Sequence, residues 1–413
     1  MHLDILRKGK VFSMVFTDEQ IEIIEGARHH ILSDQVDEQI YQISGEAGTG
    51  KSTIIKEIIK RIGIPLEKIA VMTYIGQASI LLRAKGLFNS KTIHSWCYEM
   101  IEVPLTDDFG NKIMDPIYDK PMTKIIFKPR EELNVEYIIV DEAYTVPLSM
   151  KKTITGFGKK IIAVGDCHQL PPVGDEPAFL VNGEIHYLTT PFRQSSGSNI
   201  INLAKALYRE ETVSPGLYGN VMIIEERDLT PDMIKYANII ACSKNSTRDR
   251  YNNYIRNNIL HIDSTMPVSG EKVICRQNQW DIEANDVPLV NGLIGTVINN
   301  VGPLDIDRNK RIFKMDFKPD MFNGIFWDLK CDYDYFKADY KMKNQIKNSP
   351  FHTASKFEFA YANTTHLLQG SQYLSGIYIK EYFRRDLQKN LDYTAITRFS
   401  DMVIMVLPER RYY

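Results

Sequence analysis

The chain has 413 residues, 44% of them hydrophobic and 25% charged, with a formal charge of −2. This is ordinary globular composition of a length that suits two to four compact units, and it excludes disordered and fibrous classes. Near-neutrality argues against a protein that coats duplex nucleic acid by bulk positive charge, but not against one that grips a strand in a locally basic cleft. No apolar run reaches the roughly 18–20 residues that would span a bilayer. The N-terminal stretch lacks a continuous apolar core and a small-residue cleavage site, which argues against secretion. The five cysteines (Cys97, Cys167, Cys242, Cys275 and Cys331) form no CxxC pair, which argues against zinc and disulfides and fits a reducing cytoplasm.

From about residue 15 to 100, short apolar strands alternate with helical patterns: YQIS, a helix from Lys51, KIAVMTY, and a helix through QASILLRAKG. That rhythm predicts a parallel α/β sheet. Between Val103 and Pro129 it breaks into a Pro-, Asp- and Gly-rich stretch, read as a small β insertion with DDFGN as a hairpin tip. VEYIIVDEA and KKIIAVGD restore the rhythm. A second α/β unit follows PFRQ, with NIIACSKN as strand and STRDRYNNYIRNNI as helix. From GEKVICRQNQWD to about residue 356 the chain is strand-rich and aromatic, which predicts a small barrel-like insertion. The last fifty residues return to strand–helix–strand.

Gly45-Glu46-Ala47-Gly48-Thr49-Gly50-Lys51-Ser52 fits G-x-x-x-x-G-K-[ST] between a predicted strand and a predicted helix. Glycines let backbone N–H groups turn around phosphates, and the helix that starts there directs its positive end at the same anion. Lys51 would reach the β- and γ-phosphates of ATP, and the Ser52 hydroxyl would ligate Mg2+. Asp141 and Glu142 follow the apolar strand VEYIIV, at the C-terminal end where α/β sheets bind ligands. Asp141 suits the metal, and Glu142 suits polarising the attacking water. Gln169, in GDCHQLPP, could sense the γ-phosphate or sit in an ordinary loop. Gln20 has two readings, an adenine contact or the far end of a Thr17-x-x-Gln20 capping box.

In this order the motifs resemble those of superfamily 1 helicases, in the RecD/Dda-like branch (superfamily 1B). FTDEQ resembles the Q motif, GEAGTGKST motif I, TYIGQA motif Ia, VDEAY motif II and GDCHQLPPVG motif III. PFRQ resembles motif IV, NTTHLLQGSQY motif V and YTAITR motif VI. The resemblance covers nearly the whole chain. It implies two RecA-like domains with ATP and Mg2+ between them and single-stranded DNA across their top. Residues 1–103 and 126–193 would form the first domain, and 194–299 with 357–413 the second. Residues 104–125 would be a pin insertion, and 300–356 an SH3-like insertion.

It also implies site roles. Ala47, Gly48, Thr49, Gly50, Thr53 and Gly370 join the nucleotide site, with Arg193 and Arg398 as γ-phosphate arginines. Thr73, Tyr74, Thr92, His94, Pro172, Thr365, His366 and Gln369 track the strand, and Phe109 is the candidate fork wedge. Trp327, Tyr333, Tyr335 and Phe336 could stack on bases or form a β core. One departure is plain: motif V of this branch has a lysine after its histidine, but here Leu367 and Leu368 follow His366.

The implied function is an ATP-dependent single-stranded DNA translocase and DNA helicase, 5′-to-3′ by resemblance alone. It would act on single-stranded and forked DNA in replication, recombination or repair. The expected setting is a monomer in the cytoplasm, of the compact kind bacteriophages encode, with single-strand-binding or replisome proteins as partners. Two other classes stay open: a strand-stimulated ATPase remodeller that does not unwind, and a P-loop ATPase acting on something else.

Overall fold

The computed structural model describes residues 16–114, 121–190, 198–307, 310–348 and 354–408. Its first sheet has six parallel strands in the order Lys91–Thr92, Ile69–Thr73, Tyr137–Asp141, Lys160–Gly165, Ile40–Gly45, Ile185–Leu188. Ile69–Thr73 and Tyr137–Asp141 are buried at every position, because helices cover both faces of a parallel sheet and an uninterrupted apolar run suits that place. Register places Thr73 beside Asp141 and Ser44 beside Gly165. Four strand ends therefore open on one crevice, the position where such sheets bind ligands.

The second sheet runs Ala362–Thr364, Ile239–Cys242, Tyr373–Ile379, Phe399–Leu407, Val221–Glu225, with Gly216–Tyr218 as an antiparallel edge. The helix expected after its Ile239–Cys242 strand is present as Asn245–Tyr254. The two halves interlock through apolar residues. Leu170 of the first half lies in the core of the second, and Ile80 lies among the core residues of the small barrel.

Two insertions differ in extent from the sequence reading. The ribbon comprises Tyr98–Pro104 paired with Thr123–Pro129, wider than the 104–125 expected. Turn residues mark only its distal part, and its legs read as a continuation of the domain. The barrel is a five-stranded antiparallel sheet, in the order Phe326–Asp332, Lys310–Pro319, Ile294–Asp307, Lys272–Cys275, Phe357–Phe359. It thus begins near residue 272, where the strand-rich stretch starts in the sequence, rather than at the insertion boundary of 300. Tyr333, Tyr335 and Phe336 are buried in it, on the short helix Tyr333–Lys337, and only Trp327 of the four aromatics is exposed. Among the described residues, no helix is long and apolar enough to cross a membrane.

Candidate nucleotide cleft and strand groove

The strand Ile40–Gly45 feeds a loop that turns into the helix Lys51–Ile62, with Gly48 at φ +84° and Gly50 at φ +82°. Those left-handed positions are open to glycine at little cost and bring successive N–H groups inward. Gly45 and Thr49 shape the loop from behind. A Cβ on Gly45 would stand 2.6 Å from the Thr49 hydroxyl, which donates to the Glu46 carbonyl at 2.8 Å. Lys51 Nζ donates to the carbonyls of Gly45 (2.7 Å) and Glu46 (3.2 Å) and lies 3.8 Å from Asp166.

Ala47, Gly48, Gly50, Lys51, Ser52 and Thr53 line a cleft of about 510 Å³ with Asp141, Glu142 and Gln169 of the first half. Gly370 and Arg398 of the second half line the same cleft. Burial first, and then the charge of Glu142, lift the Asp141 carboxyl to about 7, against the pull of Lys51 and Lys85. Glu142 is held at φ +52°, a conformation non-glycine residues rarely adopt. Its carbonyl accepts from both the backbone and the hydroxyl of Thr145, which fixes the kink. The Gln169 side-chain oxygen is buried without a hydrogen-bond partner.

Arg398 is 6% exposed and, among the described residues, hydrogen-bonds only to neutral acceptors. It donates to the carbonyls of Thr394 (3.0 Å) and Ser371 (3.2 Å) and to the Thr397 hydroxyl (3.3 Å). Burial pushes its guanidinium pKa below the usual value, while Glu142 and Asp166 pull it back. A buried arginine without a bonded carboxylate is costly, and it suits a site where an anion completes the charge. Arg193 lies outside the described residues.

Gln20 forms the capping box. Its oxygen accepts from Thr17 N, its backbone N–H donates to the Thr17 hydroxyl, and its amide nitrogen reaches the Thr49 carbonyl at 3.5 Å. With 1% exposure it supports the phosphate loop from behind.

Several residues unassigned from sequence tie the halves across this cleft. Tyr393 is the most telling, since its hydroxyl accepts from Ala47 N and donates to Asp166, both at 2.9 Å. Asn390 donates to the carbonyls of His168 and Gln169, and Leu170 N donates to the Thr394 hydroxyl. Lys205 pairs with Glu46 of the phosphate loop at 2.5 Å. Lys85 lines the cleft, 3.3 Å from the Ser52 hydroxyl. Tyr393 and Asn390 flank or belong to the YTAITR segment, but their partners are more than 200 positions away, so only the fold reveals the contacts.

A second groove, of about 350 Å³, is lined by Tyr74, His94, Pro172, His366 and Gln369, all expected on the strand path. Asn278, Asn291 and the 80%-exposed Val173 join them. Burial holds both His94 and His366 below the usual histidine pKa, so at neutral pH they offer neutral rings rather than charge. His94 stacks on Tyr98 at 5.5 Å. Thr73, Thr92 and Thr365 correct the sequence reading, because all three are buried and turn their hydroxyls inward. They donate to the Ile75 carbonyl, cap the helix at Ser95 N, and donate to the Cys242 carbonyl respectively. Leu368, two residues after His366, is buried in the same core cluster as Leu170. Phe109, 90% exposed, sits at the ribbon tip, where the Asp107 carboxylate accepts from the N–H groups of Phe109 and Asn111.

A family model described as an AAA domain matches residues 28–175. No curated protein sequence matches the chain. Solved structures do. One, of two coordinating Pif1 helicases at forked duplex DNA, is 17% identical, with a TM-score of 0.55 over 95% of this chain and 92% of that one. Bacteroides Pif1 bound to single-stranded DNA gives 17% and 0.53, with the same coverage. Pif1 from Bacteroides in complex with ADP-AlF3 and single-stranded DNA gives 18% and 0.51, again over 95% and 92%. The chain shares the fold of these Pif1 structures. In this fold the phosphate loop and Arg398 line one cleft between the two halves.

Proposed function

We propose that this protein is an ATP-driven translocase on single-stranded DNA that unwinds duplex DNA. The observation that carries this reading is the composition of the cleft: Lys51, Asp141, Glu142 and Gln169 from one half face Arg398 and Gly370 from the other. A triphosphate touched from both walls favours a closed arrangement until hydrolysis removes the shared charge, so turnover changes how the halves sit on a strand. The nucleotide and single strand held by the Bacteroides relatives suit the cleft and the groove respectively.

In this reading Lys51 neutralises the β- and γ-phosphates, Glu142 orients the attacking water, and the Gln169 amide contacts that water or the γ-phosphate. Arg398 stabilises charge on the transferred group. The Ser52 hydroxyl and Asp141 carboxylate are hard oxygen donors, and two adjacent carboxylates in a dry crevice call for a cation, so the residues fit Mg2+. Bound there, Mg2+ would neutralise phosphate charge. The strand is held by neutral polar and ring groups of the groove without sequence readout. Polarity of 5′-to-3′, monomeric action in the cytoplasm and partnership with single-strand-binding or replisome proteins belong to the same proposal.

Strand displacement with Mg-ATP, on duplexes carrying only a 5′ or only a 3′ tail, tests it beside a Lys51→Ala control. Displacement from the 5′-tailed substrate, lost in the control, is expected. Strand-stimulated turnover without displacement would leave a remodeller, and turnover indifferent to strand would point to a P-loop ATPase of another class.

A further inference from the structure

The helix Gly76–Ala84 starts at the strand groove, and its second residue stands where three bodies meet. Gln77 is 1% exposed and lines the groove with Tyr74, Gly76 and Asn291. Its amide oxygen accepts a hydrogen bond from the Ser371 hydroxyl, across the boundary between the halves. Its amide nitrogen lies toward Gly292 of the barrel side, where an added Cβ would stand 3.1 Å from it. Gly292 lines the same groove. Ser371 lines the nucleotide cleft, and its carbonyl accepts from Arg398 at 3.2 Å. A polar chain therefore runs from groove to cleft: Gln77, Ser371, Arg398.

This polar chain is closely packed on two sides and borders a cavity of about 730 Å³, lined by Gln77 and Ser371, on another. Gly370, at φ +76°, lies so close to Ala78 that a Cβ would meet its backbone N and its Cβ at 3.3 Å. A Cβ on Gly76 would meet Val290 at 3.1 Å. On the packed sides a displaced side chain moves its neighbours. A glutamine suits the position, because donor and acceptor share one rigid plane and turning one end turns the other.

We propose that Gln77 is a positioning residue that couples strand occupancy to the placement of Arg398. A phosphate or base in the groove takes a hydrogen bond from the amide nitrogen. The amide oxygen then holds Ser371, and the Ser371 carbonyl sets the guanidinium. The inference rests on the helicase reading of the two clefts. Linkage requires the effect to run both ways, so nucleotide must alter strand affinity by the same factor.

The test measures oligothymidylate affinity of the full chain with and without a non-hydrolysable ATP analogue, plus strand-saturated kcat and ATP KM. Gln77→Leu and Ser371→Ala should each shrink the affinity ratio on the order of fivefold or more and lower kcat more than they change KM. Because both cut one link, the double variant should be no worse than either single variant. Gln77→Glu, which keeps the acceptor and loses the donor, should also lose coupling. Should Gln77→Leu fail to fold, the small truncation Ser371→Ala gives the same readout. Ratios within twofold of wild type in both single variants overturn the inference, as do effects that simply add. A wild-type protein whose turnover ignores oligothymidylate overturns the helicase reading itself, which is a different result.

Discussion

Replacing Arg398 by methionine should separate activity from stability. Among the described residues the guanidinium makes three hydrogen bonds, at 3.0, 3.2 and 3.3 Å, all to neutral oxygens. Hydrogen bonds to a charged group contribute about 1.5–3 kcal/mol each, and long ones fall at the low end. Against them stands the desolvation of a buried ion, several kcal/mol after relaxation. The two nearly cancel, so an apolar side chain of similar length should change folding stability by no more than about 2 kcal/mol in either direction. Turnover should behave quite differently. An arginine that stabilises phosphoryl-transfer charge contributes roughly 10³–10⁵ in rate, or about 4–7 kcal/mol of barrier. Urea unfolding and ATPase at saturating oligothymidylate and Mg-ATP measure the two quantities on one preparation. Turnover within about tenfold of wild type would refute the assignment. So would a loss of stability above about 3 kcal/mol, which would make Arg398 a structural residue.

Asp141 titrates near 7 in the fold, because burial and then Glu142 disfavour its charged form. The native state therefore holds a proton that the unfolded chain has released by about pH 4, and stability should fall as pH rises toward 7. In nucleotide-free protein with chelator, Asp141→Asn should flatten that fall and raise Tm at pH 8; an unchanged slope from pH 5 to 8 would show the carboxyl is already ionised. Tyr393→Phe leaves Ala47 N and Asp166 each short of a partner, at roughly 1–3 kcal/mol, and should weaken binding of a fluorescent ATP analogue about tenfold. Unaltered binding would mean that the hydroxyl does not brace the loop. Phe109→Ala should unwind fewer base pairs of forked DNA per ATP consumed, and an equal yield would end the wedge assignment.

The nucleotide cleft was largely legible in the sequence. Lys51, Ser52, Asp141 and Glu142 carry local patterns that strand ends and a helix start convert directly into positions. Arg398 and Gly370 needed the family resemblance as well, since nothing near them in sequence mentions phosphate. The strand path was legible in part. Tyr74, His94, Pro172, His366 and Gln369 line one groove, whereas Thr73, Thr92 and Thr365 do not reach it. A threonine in such a motif can contact a ligand or satisfy its own backbone, and residue type alone does not decide which. Lys205 lay in no motif, and Tyr393 and Gln77 lay in motifs without an assigned role, for another reason. Each acts on a residue of a distant segment, and one sequence holds no record of that proximity. The barrel's start near residue 270 was legible as a change of texture, but that Lys272–Cys275 pairs within the same sheet on both sides was not, since a four-residue strand carries no record of its partners.

Leu170 and Leu368 are both wholly buried in the core shared between the halves. An oily seam of this kind behaves unlike the charges around the nucleotide when temperature drops. Its grip slackens in the cold, whereas ionic contacts do not depend on apolar hydration. A motor hinged on such a seam should lose its resting closure on chilling before it loses its chemistry, and a polar residue at Leu368 should bring that failure to a warmer temperature.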